Sequence, residues 1–319
     1  MKPFDRVQSW HLVVILGLAA ACGSSAMGGG IAGTSAVVGS ISGFGSVIVN
    51  GIEFDTSSAT VTIDGSPAAV SDLELGMVAT VRGSVDPGGL RGVAQSVISD
   101  DLLEGPLETV DLPTMTFTVL SQQVVADTAT VFDPMPLQSL PPGEFVQVSG
   151  FLDATGRIRA TRVERKLPDV EIEVKGYIQQ LDATARSFKI NALTVDFAAA
   201  LIEGAPPGGL QIGLFVDVES AGPPTGGVMT AIGVDVLDPS LKTEPGDGLK
   251  VEGFITAIVS ATEVVVNGSQ RVRTTSDTRF ERGGPGDLVL DAQVDVTGAA
   301  DADGALVATE VEFLGAGLP

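Results

Sequence analysis

The chain has 319 residues, a formal net charge of −22, 44% hydrophobic and only 5% aromatic residues, with one His, one Trp, one Tyr and one Cys. A single cysteine excludes an internal disulfide, and the acidic balance opposes a polyanionic partner such as nucleic acid. His11 and Trp10 lie within residues 1–21, so a chain processed there keeps no imidazole for a Ser-His-Asp or Cys-His system and no histidine for zinc.

Lys2 and Arg6 precede an apolar run from Leu12 to Ala21. A spanning helix needs about 20 apolar residues, so this run is too short to cross a bilayer and reads as a secretory signal over 1–21. Leu18-Ala19-Ala20-Ala21-Cys22 resembles the bacterial lipobox. The resemblance implies cleavage before Cys22 and diacylation of its thiol. It also implies a lipoprotein of the bacterial cell envelope held on the membrane by its lipid. With Gly23 following, the expected location is the outer membrane, periplasmic or surface-facing. Ordinary cleavage at Ala19-x-Ala21, giving a secreted unlipidated protein, is the alternative.

Residues 22–37 are small and nearly uncharged and read as a flexible tether. Their glycines lack the preceding strand and following helix of a phosphate-cradling loop. From residue 38 the chain repeats. Each unit opens on a glycine with an apolar residue two places on: Gly39/Ile41, Gly105/Leu107, Gly176/Ile178 and Gly253/Ile255. A second block follows as GMVATVRG from Gly76, GEFVQVSG from Gly143, GLFVDVES from Gly213 and DAQVDVTG from Asp291. A third pairs Ala with Val: Ala94/Val97, Ala160/Val163, Ala231/Val234 and Ala308/Val311. Four units result, over 38–100, 101–166, 167–244 and 245–319.

Within each unit, short runs of alternating apolar residues, with Asn50-Gly51 and Asn267-Gly268 between them, read as hairpins. In the second block Val146/Val148 and Val294/Val296 mark one buried face. In the third, Ile158 and Ala160 share a face while Val163 falls an odd number of residues on, which predicts a bulge in a bent closing strand. Asp301 and Asp303 in DADG resemble the start of a calcium loop, but the later oxygen ligands are missing and hairpin chemistry accounts for the turn.

These landmarks resemble domain-of-unknown-function family 5666 of bacterial envelope proteins, with Ser220 and Asp291 in place of expected glycines. The resemblance implies an all-β chain of four tandem small OB-like β-barrels and brings no established activity. One basic stretch interrupts the acidic chain: Arg157, Arg159, Arg162, Arg165 and Lys166. They form a candidate patch for lipid headgroups, anionic glycans or the acidic face of another unit; the competing reading is a charged edge strand that discourages aggregation. Arg271, Arg273, Arg279 and Arg282 raise the same question in the fourth unit.

The expected role is non-catalytic binding or scaffolding, by weak contacts multiplied over the four units, toward a protein or an envelope polymer. No cofactor and no metal site is expected. An enzyme working through paired carboxylates ranks third. Replacement of Cys22 by Ser is expected to move the protein from the membrane to the soluble envelope fraction. An unmodified N-terminus in an intact-mass measurement of the wild-type protein would refute the anchor.

Overall fold

The computed structural model describes residues 33–167 and 172–315; Cys22, the signal segment and the first part of the expected tether lie outside the described residues. The first unit contains β1 (Gly33–Gly43), β2 (Val47–Val49), β3 (Ile52–Asp55), β4 (Thr60–Ile63), β5 (Ser66–Ala68), β6 (Val78–Val85) and β7 (Arg91–Ser99). The second contains β8 (Leu103–Asp111), β9 (Thr116–Val119), β10 (Gln122–Val125), β11 (Val131–Asp133), β12 (Phe145–Leu152) and β13 (Ile158–Lys166). The third has β14 (Ile172–Tyr177), β15 (Gln179–Asp182), β16 (Ser187–Ile190), β17 (Leu193–Asp196), β18 (Leu201–Glu203), β19 (Phe215–Ser220), β20 (Val228–Thr230) and β21 (Gly233–Leu237). The fourth has β22 (Gly248–Ser260), β23 (Glu263–Val266), β24 (Gln270–Arg273), β25 (Arg279–Glu281), β26 (Gln293–Ala300) and β27 (Leu306–Phe313). The helical segments among the described residues are three single 3-10 turns.

Pairing closes the first, second and fourth units on themselves, while the strands of the third fall in two sheets. In the first, β1–β2 and β2–β3 are antiparallel, β3–β7 is parallel, and β7–β6 and β6–β1 return antiparallel. This is the five-stranded OB-like barrel, and the second and fourth units repeat it. The valines expected to face inward do so: Val146, Val148, Val294 and Val296 are buried.

The first two sequence landmarks form a clasp. In every unit the apolar residue of the first landmark donates its N–H to the residue after the start of the second block: Ile41 to Met77, Leu107 to Glu144, Ile178 to Leu214 and Ile255 to Ala292, at 2.8–2.9 Å. The block's first residue donates back, from Gly76, Gly143, Gly213 and Asp291, also at 2.8–2.9 Å. All four of these residues have positive φ, 84°, 93°, 88° and 66°, which explains glycine there and makes Asp291 the tolerated exception.

The predicted bulge is present and has a purpose. Opposite β13, the register steps from Ser149↔Arg162 to Gly150↔Ala160, leaving Thr161 unpaired; Gln95 and Thr309 are skipped in the same way. The skipped residue marks a handover, since β10 pairs with the first half of β13 and β11 with the second. At the bulge the backbones approach so closely that a Cβ on Gly83, Gly150 or Gly298 would run into the carbonyl oxygen of Val93, Arg159 or Val307. The third unit has Ser220 at this position, and its closing strand is split into β20, beside β17, and β21, beside β18.

The four barrels are joined rather than strung out. β1 pairs in parallel with β22, Ser35–Val38 against Gly248–Val251, so the first and fourth units form one 13-stranded sheet. β8 pairs with β14, joining the second and third units in a 10-stranded sheet over a shared core. This corrects the tether assignment: residues 33–37 are a strand paired with β6, and from Ser35 on also with β22. Their small side chains are what fits between two strands, with Ser35, Ala36 and Val37 all buried. The units are thus sheet-paired, first to fourth and second to third.

Gly150→Ala is expected to destabilise the fold by about 1–3 kcal/mol through the forced backbone shift. Gly222→Ala, where a Cβ meets nothing within 4 Å, should be nearly neutral. Equal denaturation midpoints for the two variants would contradict the bulge account.

Candidate functional site

The five cations expected to form one patch do not share a surface. Arg157 pairs with Asp153 at 2.7 Å, Arg165 with Glu144 at 2.6 Å and Lys166 with Glu164 at 3.3 Å. Arg162, only 4% exposed, is ringed by Glu74, Asp133 and Glu164 and donates to the Leu75 carbonyl at 3.1 Å. It therefore clamps the second unit to the first. Arg271, Arg273, Arg279 and Arg282 are likewise held by Glu263, Asp301, Glu310 and Glu312.

Arg159 is different. Among the described residues no carboxylate stands within ion-pair distance of it; its guanidinium lies over the Phe254 ring, 5.0 Å from the centroid. It lines a cleft of about 340 Å³ where three units meet. The first unit contributes Ser40, Ile41 and Leu75, the second Phe151 and Arg159, the fourth Glu252 and Phe254. Phe151 is Arg159's cross-strand neighbour and its ring is 6.5 Å from that of Phe254.

The acids in the cleft wall already have donors. Asp127 Oδ1 accepts from the Ala129 and Thr130 amides at 2.8 and 3.2 Å. Glu252 Oε2 accepts the Ser40 N–H at 3.1 Å, and burial pushes its carboxyl above the ordinary value. The Thr161 hydroxyl, on the bulge residue of the same wall, is buried without a partner.

A second constellation was not foreseen. Lys175 on β14, 5% exposed, pairs with Glu173, with Asp217 at 3.4 Å and with Asp64 of the first unit at 3.5 Å. Asp64 also accepts the Asp101 N–H at 2.8 Å, and Ser149 donates to the Asp101 carboxyl. Asp101 is 6% exposed, and among the described residues neither its Oδ2 nor Asp217 Oδ1 has a hydrogen-bond partner. Burial, with the Asp64 charge second, pushes Asp101 up to about 7, and burial pushes Asp217 up to about 6. The carboxylates that an acid-base enzyme would need do converge here, but around a lysine that occupies their centre and in a closed seam between three units.

A sequence signal for both places was available. The residue before each first-landmark glycine is Val38, Glu104, Lys175 or Glu252, so three of four units put a charge on a strand beside the packing landmark. As for metal ligands, Glu281, Glu310 and Glu312 converge in the fourth unit, yet Arg279 and Arg282 neutralise them. Asp301, the first residue of the calcium-like loop, spends Oδ1 on the Asp303 and Ala305 amides and pairs with Arg273.

The family model described as Domain of unknown function (DUF5666) matches residues 35–97, 104–164 and 252–312. The chain belongs to this family. The three DUF5666 matches fall on the first, second and fourth barrels; the third carries Ser220 and the split closing strand. No curated protein matches the chain. Among solved structures, a chain titled drosophila Unr CSD456 is similar at 14% identity, covering 67% of this chain and 98% of that one, with a TM-score of 0.18.

The seam has a pH dependence with a definite sign. A carboxyl raised from 3.8 to about 7 keeps a proton in the folded chain that the unfolded chain has released, so stability is lost as pH rises between those values. The melting temperature is expected to fall by several degrees between about pH 4 and 7, and Asp101→Asn should flatten that fall. A profile unchanged by Asp101→Asn would exclude Asp101 as its source.

Proposed function

We propose that this DUF5666 chain is a lipid-anchored protein of the bacterial cell envelope. Its four barrels act as one rigid, non-catalytic binding or scaffolding body. The observation that carries the reading is the joining of the first barrel to the fourth and of the second to the third by continuous sheets, with Arg162 and Lys175 bridging the two pairs, which makes a platform of units that are individually near the lower size limit for a stable core. The anchor rests on the lipobox-like segment ending at Cys22.

Most cations of the described chain are spent internally, so the surplus acid of a chain with net charge −22 faces outward. Such a surface favours a basic protein or a cationic segment of an envelope polymer and repels nucleic acid. Tyr177, the only tyrosine, is packed on Phe215 with ring centroids 5.0 Å apart and is not a free stacking platform. Absence of catalysis is favoured by the missing imidazole after residue 21 and by the lysine at the centre of the carboxylate cluster.

The immobilised full chain, incubated with envelope extract, is expected to retain a partner at low ionic strength and release it at high salt, because exposed charges are screened over about 8 Å at physiological ionic strength. Salt-independent retention would contradict the electrostatic surface. Turnover of any extract component by the purified chain would contradict the non-catalytic reading.

A further inference from the structure

We propose that the cleft at Arg159 is a binding site for a small monocarboxylate with an apolar body. This assignment goes beyond the envelope role and stands on the cleft alone, with or without a lipid at Cys22.

Among the described residues, Arg159 is the member of its basic stretch that no carboxylate meets within ion-pair distance. Its four companions each meet a carboxylate within 3.3 Å, although the chain has 40 acidic residues to supply one. The Phe254 ring packs against the guanidinium, 5.0 Å from its centroid to Cζ, and the N–H groups can meet an acceptor from the cleft. A planar carboxylate matches that fork with two parallel hydrogen bonds.

The rest of the wall selects the body of the ligand. Ile41, Leu75, Val131, Phe151 and Phe254 give it an apolar lining, and about 340 Å³ is at the lower end of small-molecule sites. Charge selects against dianions. With Asp127 and Glu252 already set against one guanidinium in the same wall, every further negative charge adds repulsion, so a phosphate dianion or a polyanionic glycan is opposed more strongly than a monocarboxylate. The wall carboxylates are held by backbone amides of Ala129, Thr130 and Ser40, which keeps them from turning onto Arg159. Thus the free cation is a fixed feature of the junction.

The site also depends on the assembly. Ser40, Phe151, Arg159 and Phe254 come from three barrels, so no single unit contains it.

The test is calorimetric titration of the full chain carrying Cys22→Ser, with phenylacetate as probe, its neutral isostere phenylacetamide, and inorganic phosphate. Phenylacetate is expected to bind in the sub-millimolar range, with phenylacetamide and phosphate each weaker by about tenfold or more, the worth of a charge-assisted pair. Arg159→Gln should lose about the same factor, while Arg165→Gln, a paired arginine of the same strand, should leave binding unchanged. Equal binding of acid and amide, or phosphate binding as tightly as phenylacetate, overturns the proposal. So does an Arg159→Gln chain that binds normally, or the absence of binding to the wild-type Arg159 protein. The acid-against-amide comparison needs no variant and stands even if Arg159→Gln fails to fold.

Discussion

The reciprocal pair of backbone hydrogen bonds between the first-landmark apolar residue and the start of the second block holds every barrel in the same shape. It recurs at Ile41, Leu107, Ile178 and Ile255 with nearly identical lengths, and it demands a left-handed residue at the block's first position. From that clasp the β6-type strand is aimed back along the first strand and the barrel can close. The landmark glycine two residues earlier serves the same corner: a Cβ on Gly39 would meet Asn50, and one on Gly253 would meet Asn267, each the positive-φ residue of the following hairpin. The sequence between landmarks can then drift, because the corner is set by backbone geometry and not by particular side chains.

Closing a barrel of roughly this size leaves too little core for comfort, and the structure shows how the shortage is met. The second and third units share one core, and β1 inserts between β6 and β22 to carry the first sheet into the fourth unit. Charges finish the seams. Arg162 reaches from the second unit to Glu74 of the first, and Lys175 reaches from the third to Asp64. Buried ion pairs of this kind contribute little net stability, but they fix which face meets which. The cleft at Arg159 is the place where this matching is incomplete.

What was legible in the sequence followed from period and backbone constraint. The parity switch between Ala160 and Val163 marks the bulge because strand side chains alternate strictly, and the skipped Thr161 is where it falls. Asn-Gly steps gave the hairpins for the same reason. What was not legible depends on contacts between distant segments. Ser35 to Val37 look like linker because they are small, and they are small because two strands flank them. The run from Arg157 to Lys166 looks like a cationic surface because its counter-ions, Glu74 and Glu144 among them, lie far off in the chain. Lys175 stands at the charged position before its landmark glycine with Glu173 two residues away, but nothing local shows that Asp64 and Asp217 complete its ring.

The joining of the first and fourth barrels through β1 is the claim on which the single body and the shared cleft rest. Hydrogen exchange at the amides of Ser35, Ala36, Val37 and Val38 tests it most directly. The account predicts exchange as slow as at Val81 in the neighbouring β6, since both strands flanking these residues hold their backbone. Exchange at the rate of an unstructured peptide would show a tether in place of a strand, and the four barrels would no longer be one body.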